Sequence, residues 1–229
     1  EAIEQAKGEL VEALPEDGVA VLNADDERVR RMGSRTTARV VRYGFAPDAE
    51  VRGDDVRSLG VDGMAFELVA DGARVPVRIP TLGRLAVHNA LAAIAAGRAA
   101  GVPMATIVDA LAGGWSAPHR TQLVRAAGIT IVDDSYNASP GSVAAALELL
   151  SGLPGRRVAV LGEMLELGAD HDDGHRRTGE AAASLVDRLV ANPELEVIEF
   201  QQSALVYLGL DHRARELGEG DVRVRRAIS

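Results

Sequence analysis

The segment Ile131-Val132-Asp133-Asp134-Ser135-Tyr136-Asn137-Ala138-Ser139-Pro140 holds a dense set of chemistry-bearing residues. An apolar run ends in two carboxylates, a polar loop follows, and Ser139-Pro140 reads as the N-cap and first residue of a helix. In open α/β sheets, ligands bind beyond the carboxyl ends of strands, beside unpaired helix N–H groups. There Asp134 could accept hydrogen bonds from a ribose, and Asn137 could read an amide-like edge of a base. Equally, the two Asp residues could do no more than cap a turn.

Four other places carry candidate groups. His119-Arg120 offers a guanidinium suited to bidentate phosphate contact, although a lone Arg is most often a surface residue. His88-Asn89 lies near the start of an Ala-rich helix; an Asn on a buried face there needs a partner for its amide, and read alone the pair fits a satisfied helix start better. Glu163 ends a second apolar run, so Glu163 and Asp134 are expected at neighbouring strand ends, sharing a site or merely solvated. His171 and His175, four apart, could share a helix face and hold zinc, but Gly174 and the acids around them read as a loop and helix start.

The elements that must position these groups follow from periodicity. Residues 1–14 show Ile3, Ala6, Leu10 and Leu14 at helical spacing, ending at Pro15. Val19–Leu22 reads as a buried strand, and Arg39–Tyr43, Val51–Leu59, Met64–Val69 and Val75–Ile79 as further strands. Asp62-Gly63 and Asp71-Gly72 punctuate the last two as hairpin turns. Helices are expected over Arg84–Ala100 and Met104–Leu111. The breaker-rich Gly113-Gly114-Trp115-Ser116-Ala117-Pro118 marks a domain boundary, dividing the chain into 1–117 and 118–229. Beyond it the pattern alternates: strand Ile129–Asp133, helix Pro140–Leu150, strand Arg157–Leu161, helix His175–Val190, which predicts a doubly wound parallel sheet. After Ala191 the pattern weakens, with Glu196–Phe200 and Val222–Val224 as possible strands.

Composition narrows the function classes. The chain has 229 residues, 47% hydrophobic and 26% charged, as ordinary globular proteins do. A net charge of -9 argues against a general nucleic-acid or anionic-membrane surface, though not against a locally gripped phosphate. Cysteine is absent, which fits a reducing cytoplasm. No stretch approaches the roughly 20 apolar residues of a membrane span. Lys7 is the one lysine among 25 basic residues, and its neighbours do not form a G-x-x-x-x-G-K-[ST] phosphate loop. The chain therefore has no such loop of its own. It also opens on Glu1 inside what reads as a helix, so an amino-terminal piece is expected to be missing.

Five segments in order, Ala6-Lys7-Gly8-Glu9, Val21-Leu22-Asn23-Ala24-Asp25-Asp26, Gly83-Arg84 with His88-Asn89-Ala90-Leu91-Ala92-Ala93, Asp133 to Pro140, and Leu161 to Gly168, together resemble the Mur ligase family. They are most similar to its D-alanyl-D-alanine-adding branch, and the resemblance covers about residues 1–190. It implies an α/β fold: the latter part of a P-loop-type central ATPase domain (1–117), then a Rossmann-like carboxyl-terminal domain (118–229). It implies a cytoplasmic, ATP- and Mg2+-dependent ligase of peptidoglycan precursor synthesis, joining D-alanyl-D-alanine to UDP-N-acetylmuramoyl-tripeptide. Without the phosphate loop, this stretch is expected to be inactive alone, or else to be a non-catalytic nucleotide- or partner-binding module. By the same resemblance Lys7 is the lysine that can become a carbamate and hold Mg2+, and Asn89 contacts adenine. Arg120 meets nucleotide phosphate, Asp134 binds ribose, and Tyr136 and Asn137 line the same loop. Glu163 and His175 are assigned to the substrate. Two departures stand out: Leu85-Ala86 occupies the place of a family His-Asn pair, and residues 191–229 keep only a faint echo, Gly220-Asp221-Val222-Arg223-Val224.

Overall fold

Short Val-, Ala- and Leu-rich runs form strands in both halves of the chain, and each half closes its own sheet. The computed structural model describes residues 2–115, 117–126, 129–165, 167–191 and 203–208. The chain divides into two compact units, Glu1–Trp115 and Ser116–Ser229.

In the first unit, helix α1 (Ala2–Glu12) precedes β1 (Val19–Asn23), α2 (Glu27–Met32) and the strands β2 (Arg39–Gly44), β3 (Val51–Ser58), β4 (Met64–Ala70) and β5 (Ala73–Ile79). The sheet runs in order β1-β2-β3-β4-β5. β1, β2 and β3 are parallel neighbours, whereas β3, β4 and β5 pair antiparallel. Ala70 faces Ala73 across a two-residue turn in which Asp71 and Gly72 both take left-handed backbone, φ 50° and 75°. That is the Asp-Gly hairpin the sequence predicts. The tight turn expected at Asp62-Gly63 is instead a wider loop: Ser58 faces Met64, and a 3-10 turn spans Gly60–Asp62.

Helix α3 (Arg84–Ala99) covers the sheet and α4 (Met104–Ala112) follows it. Val87, Ala90, Leu91, Ile94 and Ala95 recur at helical spacing and are buried with Leu68, Val77 and Ile79. Each large apolar side chain fully buried there contributes about 1.5–3 kcal/mol.

Two helices of the first unit bury little. The stripe Ile3, Ala6, Leu10 does not face the core: Ile3 is 75% and Leu10 72% exposed, and α1 rests instead on Val11, beside Leu22 and Met32. Helix α2 escapes periodicity because its six residues, ERVRRM, bury Met32 alone. It is fixed by Asp26, whose side chain accepts from the N–H groups of Arg28 and Val29.

In the second unit the order is β6 (Gln122–Ala126), β7 (Ile129–Asp133), α5 (Pro140–Ser151), β8 (Arg156–Leu161), α6 (His171–Leu185), β9 (Arg188–Ala191) and β10 (Ser203–Leu208). The sheet order is β6-β7-β10-β8-β9, with only β6 antiparallel. The expected parallel α/β pattern is present. Val132, Val143, Leu147, Leu150, Val158 and Ala182 are buried in this unit.

Its differences from expectation are specific. Helix α6 starts at His171, not His175, and stops at Leu185, so Val190 belongs to a strand. Edge strand β6 and the four-residue β9 were too short and mixed in polarity to read. β10 lies between β7 and β8, so the ends carrying Asp134 and Glu163 are not neighbours. The strands expected at 196–200 and 222–224 fall outside the described residues. Among the described residues no helix is long and apolar enough to cross a membrane.

Candidate functional site

The first unit gathers polar groups at the carboxyl ends of β1 and β2, the edge where parallel sheets bind ligands. Asn23 ends β1, and its side-chain oxygen accepts from the Asp25 N–H at 2.8 Å. The Asp25 carboxylate accepts from the backbone N–H groups of Phe45 (2.8 and 3.0 Å) and Ala46 (2.7 Å), tying β1 to the end of β2. Gly44 makes this possible: at φ 147°, a Cβ there would lie 2.5 Å from Asp25 Oδ2.

His88, on the second turn of α3, completes the knot. Its Nε2 lies 3.1 Å from Asn23 Oδ1 and 3.2 Å from Asp25 Oδ2. Both partners accept, so Nε2 carries the hydrogen. Tyr43 and Phe45 flank the imidazole, with ring centroids 5.1 and 5.6 Å away. Burial, then the Asp25 charge, raises the Tyr43 hydroxyl above its ordinary value. Arg84 stacks on the outer part of the knot, its guanidinium 4.0 Å from the Phe45 centroid.

Asn89 follows His88 and is exposed. The helix turns Val87 and Ala90 inward and Asn89 outward, leaving its amide accessible. Lys7 is exposed on α1, with no ion pair or hydrogen bond of its side chain among the described residues.

In the second unit the loop before β6 and the loop after β7 are joined by side chains. Asp133 accepts from the Ser135 N–H (3.1 Å) and hydroxyl (2.7 Å) through one oxygen, and from His119 Nδ1 (2.7 Å) through the other. Asp134 Oδ1 accepts from the Thr121 N–H (2.8 Å) and hydroxyl (3.3 Å). The Tyr136 N–H donates to the His119 carbonyl at 3.0 Å. Arg120, between the two anchored residues, lays its guanidinium 4.1 Å from the Tyr136 ring centroid. Asp133 thus caps its own turn through one oxygen and reaches His119 through the other, while Asp134 reaches Thr121 on that same loop.

Burial is the largest influence on Asp134 and pushes its carboxyl above the usual carboxylate range, against the Thr121 hydrogen bonds and the Arg120 charge. Asn137 is exposed, and its side-chain oxygen accepts from the Ala138 N–H at 2.9 Å. Ser139 caps α5 in a reciprocal arrangement with Ser142, with Pro140 in the first turn, as the sequence predicts.

Glu163 and His175 belong to a third cluster, after β8. His171 Nδ1 faces Asp172 at 3.0 Å and its Nε2 faces Glu163 at 3.4 Å; these carboxylates, Asp172 first, raise the imidazole above its ordinary value. His175 Nε2 accepts from the Met164 N–H at 2.9 Å, and its Nδ1 donates to the His171 carbonyl at 2.8 Å. Both His175 nitrogens are thereby engaged, so the zinc reading of the pair fails: no lone pair remains for a metal. Among the described residues no group of three or more His, Cys, Asp or Glu could hold a metal ion. A Mg2+ held by Lys7 as its carbamate would take its other oxygens from water and phosphate, as Mg2+ commonly does.

Comparison with known proteins joins these clusters to a family. Residues 1–97 match the Mur ligase middle domain, and residues 119–213 match the Mur ligase, glutamate ligase domain, well past the last of the five motif segments. The UDP-N-acetylmuramoyl-tripeptide–D-alanyl-D-alanine ligase of Escherichia coli is 36% identical over 193 residues, which are 82% of this chain and 42% of that protein. The enzyme of the same name from Mycobacterium tuberculosis is 39% identical over 202 residues, 83% of this chain and 39% of that protein. The chain thus spans about two fifths of the length of these relatives. Among solved structures, MurF from Acinetobacter baumannii superposes with a TM-score of 0.79 at 23% identity, covering 95% of this chain and 54% of that one. MurF ligase from Thermotoga maritima in complex with ADP gives 0.79 at 21%, covering 97% and 58%. With two matched domains of one family in sequence along most of its length, the chain belongs to the Mur ligase family.

Proposed function

We propose that this chain is the nucleotide-holding and carboxyl-terminal part of a cytoplasmic ligase that joins D-alanyl-D-alanine to UDP-N-acetylmuramoyl-tripeptide at the expense of ATP. What supports the reading is identity of 36–39% over four fifths of the chain to enzymes of that name. In such a reaction the tripeptide carboxylate takes the terminal phosphoryl group of ATP. The amine of D-alanyl-D-alanine attacks the acyl phosphate, and phosphate leaves. Mg2+ supplies charge neutralisation on the phosphoryl oxygens.

The residues divide this work. Asn89, exposed beside the anchored His88, reads the adenine edge. Arg120 pairs with nucleotide phosphate, and positioned cations of this kind offset developing charge. Asp134 keeps Oδ2 for a ribose hydroxyl, because Thr121 engages Oδ1. Tyr136 and Asn137 line the same loop, and Lys7 as a carbamate supplies one Mg2+ ligand. Glu163 remains exposed and available to substrate, whereas His175, with both nitrogens engaged, holds the Met164 backbone rather than a ligand.

The phosphate cradle must come from outside these 229 residues, whose single lysine lies in no phosphate loop. The test is phosphate release from ATP by the protein that carries this chain. Release should require both UDP-N-acetylmuramoyl-tripeptide and D-alanyl-D-alanine, and the 229 residues alone should release none. Robust, D-alanyl-D-alanine-dependent release by the 229 residues alone would overturn this division of labour. Tight ADP binding by them, with no release from the longer protein, would favour a non-catalytic nucleotide-binding module.

A further inference from the structure

The loop His119-Arg120-Thr121 is built against the preferences of its residues. His119 and Thr121 both have left-handed backbone, φ 61° and 49°. That region is disfavoured for any residue with a Cβ, and is most unusual for a β-branched one such as Thr. Such geometry persists only where the surroundings over-determine it, and it clusters where function needs a fixed shape. Here the fixing groups are two successive carboxylates at the end of β7. Asp133 Oδ2 holds the His119 ring at 2.7 Å, and Asp134 Oδ1 holds the Thr121 N–H at 2.8 Å. The residue between them is Arg120, and the Tyr136 N–H bonded to the His119 carbonyl closes the frame beneath its guanidinium.

We propose that Asp133 and Asp134 are positioning residues: together they hold the His119–Thr121 loop in its left-handed shape and so aim Arg120 at an anionic ligand. Asp134 then has two tasks, one per oxygen, and the loop-holding one is independent of any ribose contact. The assignment of the ligand as a nucleotide phosphate rests on the function proposed above. The loop-holding role does not.

Glycine separates the two, because it takes φ near 50° without penalty. Four forms of the 229-residue chain suffice: wild type, Asp134→Ala, Thr121→Gly and the double variant. Amide exchange of the Tyr136 N–H reports the frame. It should quicken by about tenfold or more in Asp134→Ala, the scale expected when a charged acceptor is lost. It should return to within about threefold of wild type in the double variant, once the backbone needs no restraint. Unchanged exchange in Asp134→Ala overturns the proposal, and so does failure of Thr121→Gly to restore it.

Tripolyphosphate, which has no ribose, reads the aim of Arg120 by chemical-shift titration. Deleting a carboxylate beside an arginine should on charge alone tighten an anion. Positioning predicts the opposite: weaker binding in Asp134→Ala, recovered by Thr121→Gly. Tighter binding in Asp134→Ala overturns the proposal. If wild type does not bind tripolyphosphate, the phosphate reading of Arg120 fails, and exchange alone decides the loop-holding role.

Discussion

The two units each set a histidine against Asx side chains at the end of a parallel strand, yet they stabilise the arrangement by opposite means. In the first, His88 sits between Tyr43 and Phe45, and the position that lets Asp25 reach the end of β2 is a glycine, Gly44. In the second, the side chain of His119 is 59% exposed, and the residues in left-handed backbone are His and Thr, held by carboxylates. The first knot is shaped by packing and a compliant residue. The second is shaped by charge-assisted hydrogen bonds acting against local preference, so the same kind of substitution should act differently in each.

The largest break in this comparison is Gly44→Ala. Its Cβ would meet the Asp25 carboxylate at 2.5 Å in a backbone region that alanine avoids. We expect a loss of about 2–4 kcal/mol in chemical denaturation, the range for combined strain and a broken capping interaction. A loss below about 0.5 kcal/mol would mean that the Asp25 cap is dispensable. His88→Ala comes next. It leaves the Asn23 and Asp25 acceptors without their shared donor and should cost about 1–3 kcal/mol, measured in the same way. A neutral result would show that the rings alone hold the knot.

The smallest effect sharpens the second region. Asp134 has a folded carboxyl value raised mainly by burial. A group so raised binds its proton more firmly folded than unfolded. Its favourable contribution is complete below the unfolded value, about 3.9, and is lost as pH rises through the raised folded value. The stability of wild type relative to Asp134→Asn should therefore fall across that window and stay level above it. Paired denaturation curves at successive pH values check this, and a difference that rises through the window would contradict it.

The comparison also explains what sequence could show. Apolar runs such as Met64–Val69 and the Asp71-Gly72 turn carry their structure locally, and so does the Ser139-Pro140 helix start. Spacing shows that Ile3, Ala6 and Leu10 align along α1, not which way they point. Likewise, spacing does not show that Ala90 rather than Asn89 takes the buried face of its helix. Among the site residues, Asp133 and Asp134 were legible as a strand end followed by a helix start. Their partners His119 and Thr121 were not, since no sequence pattern announces left-handed backbone at His or Thr. The supposed neighbourhood of Asp134 and Glu163 failed for a topological reason: order along the chain does not reveal that a later strand enters between β7 and β8.

That late entry bears on synthesis. Residues 203–208 pair with β7 on one side and β8 on the other, through ladders such as Leu205 with Ile131 and with Val158. Until the ribosome has released this stretch, two inner strands wait with open edges, exposed to mispairing with other nascent chains. Closing contacts this far apart in sequence is also slow. The second unit is thus committed to finishing its sheet from the middle, after its flanks have been made.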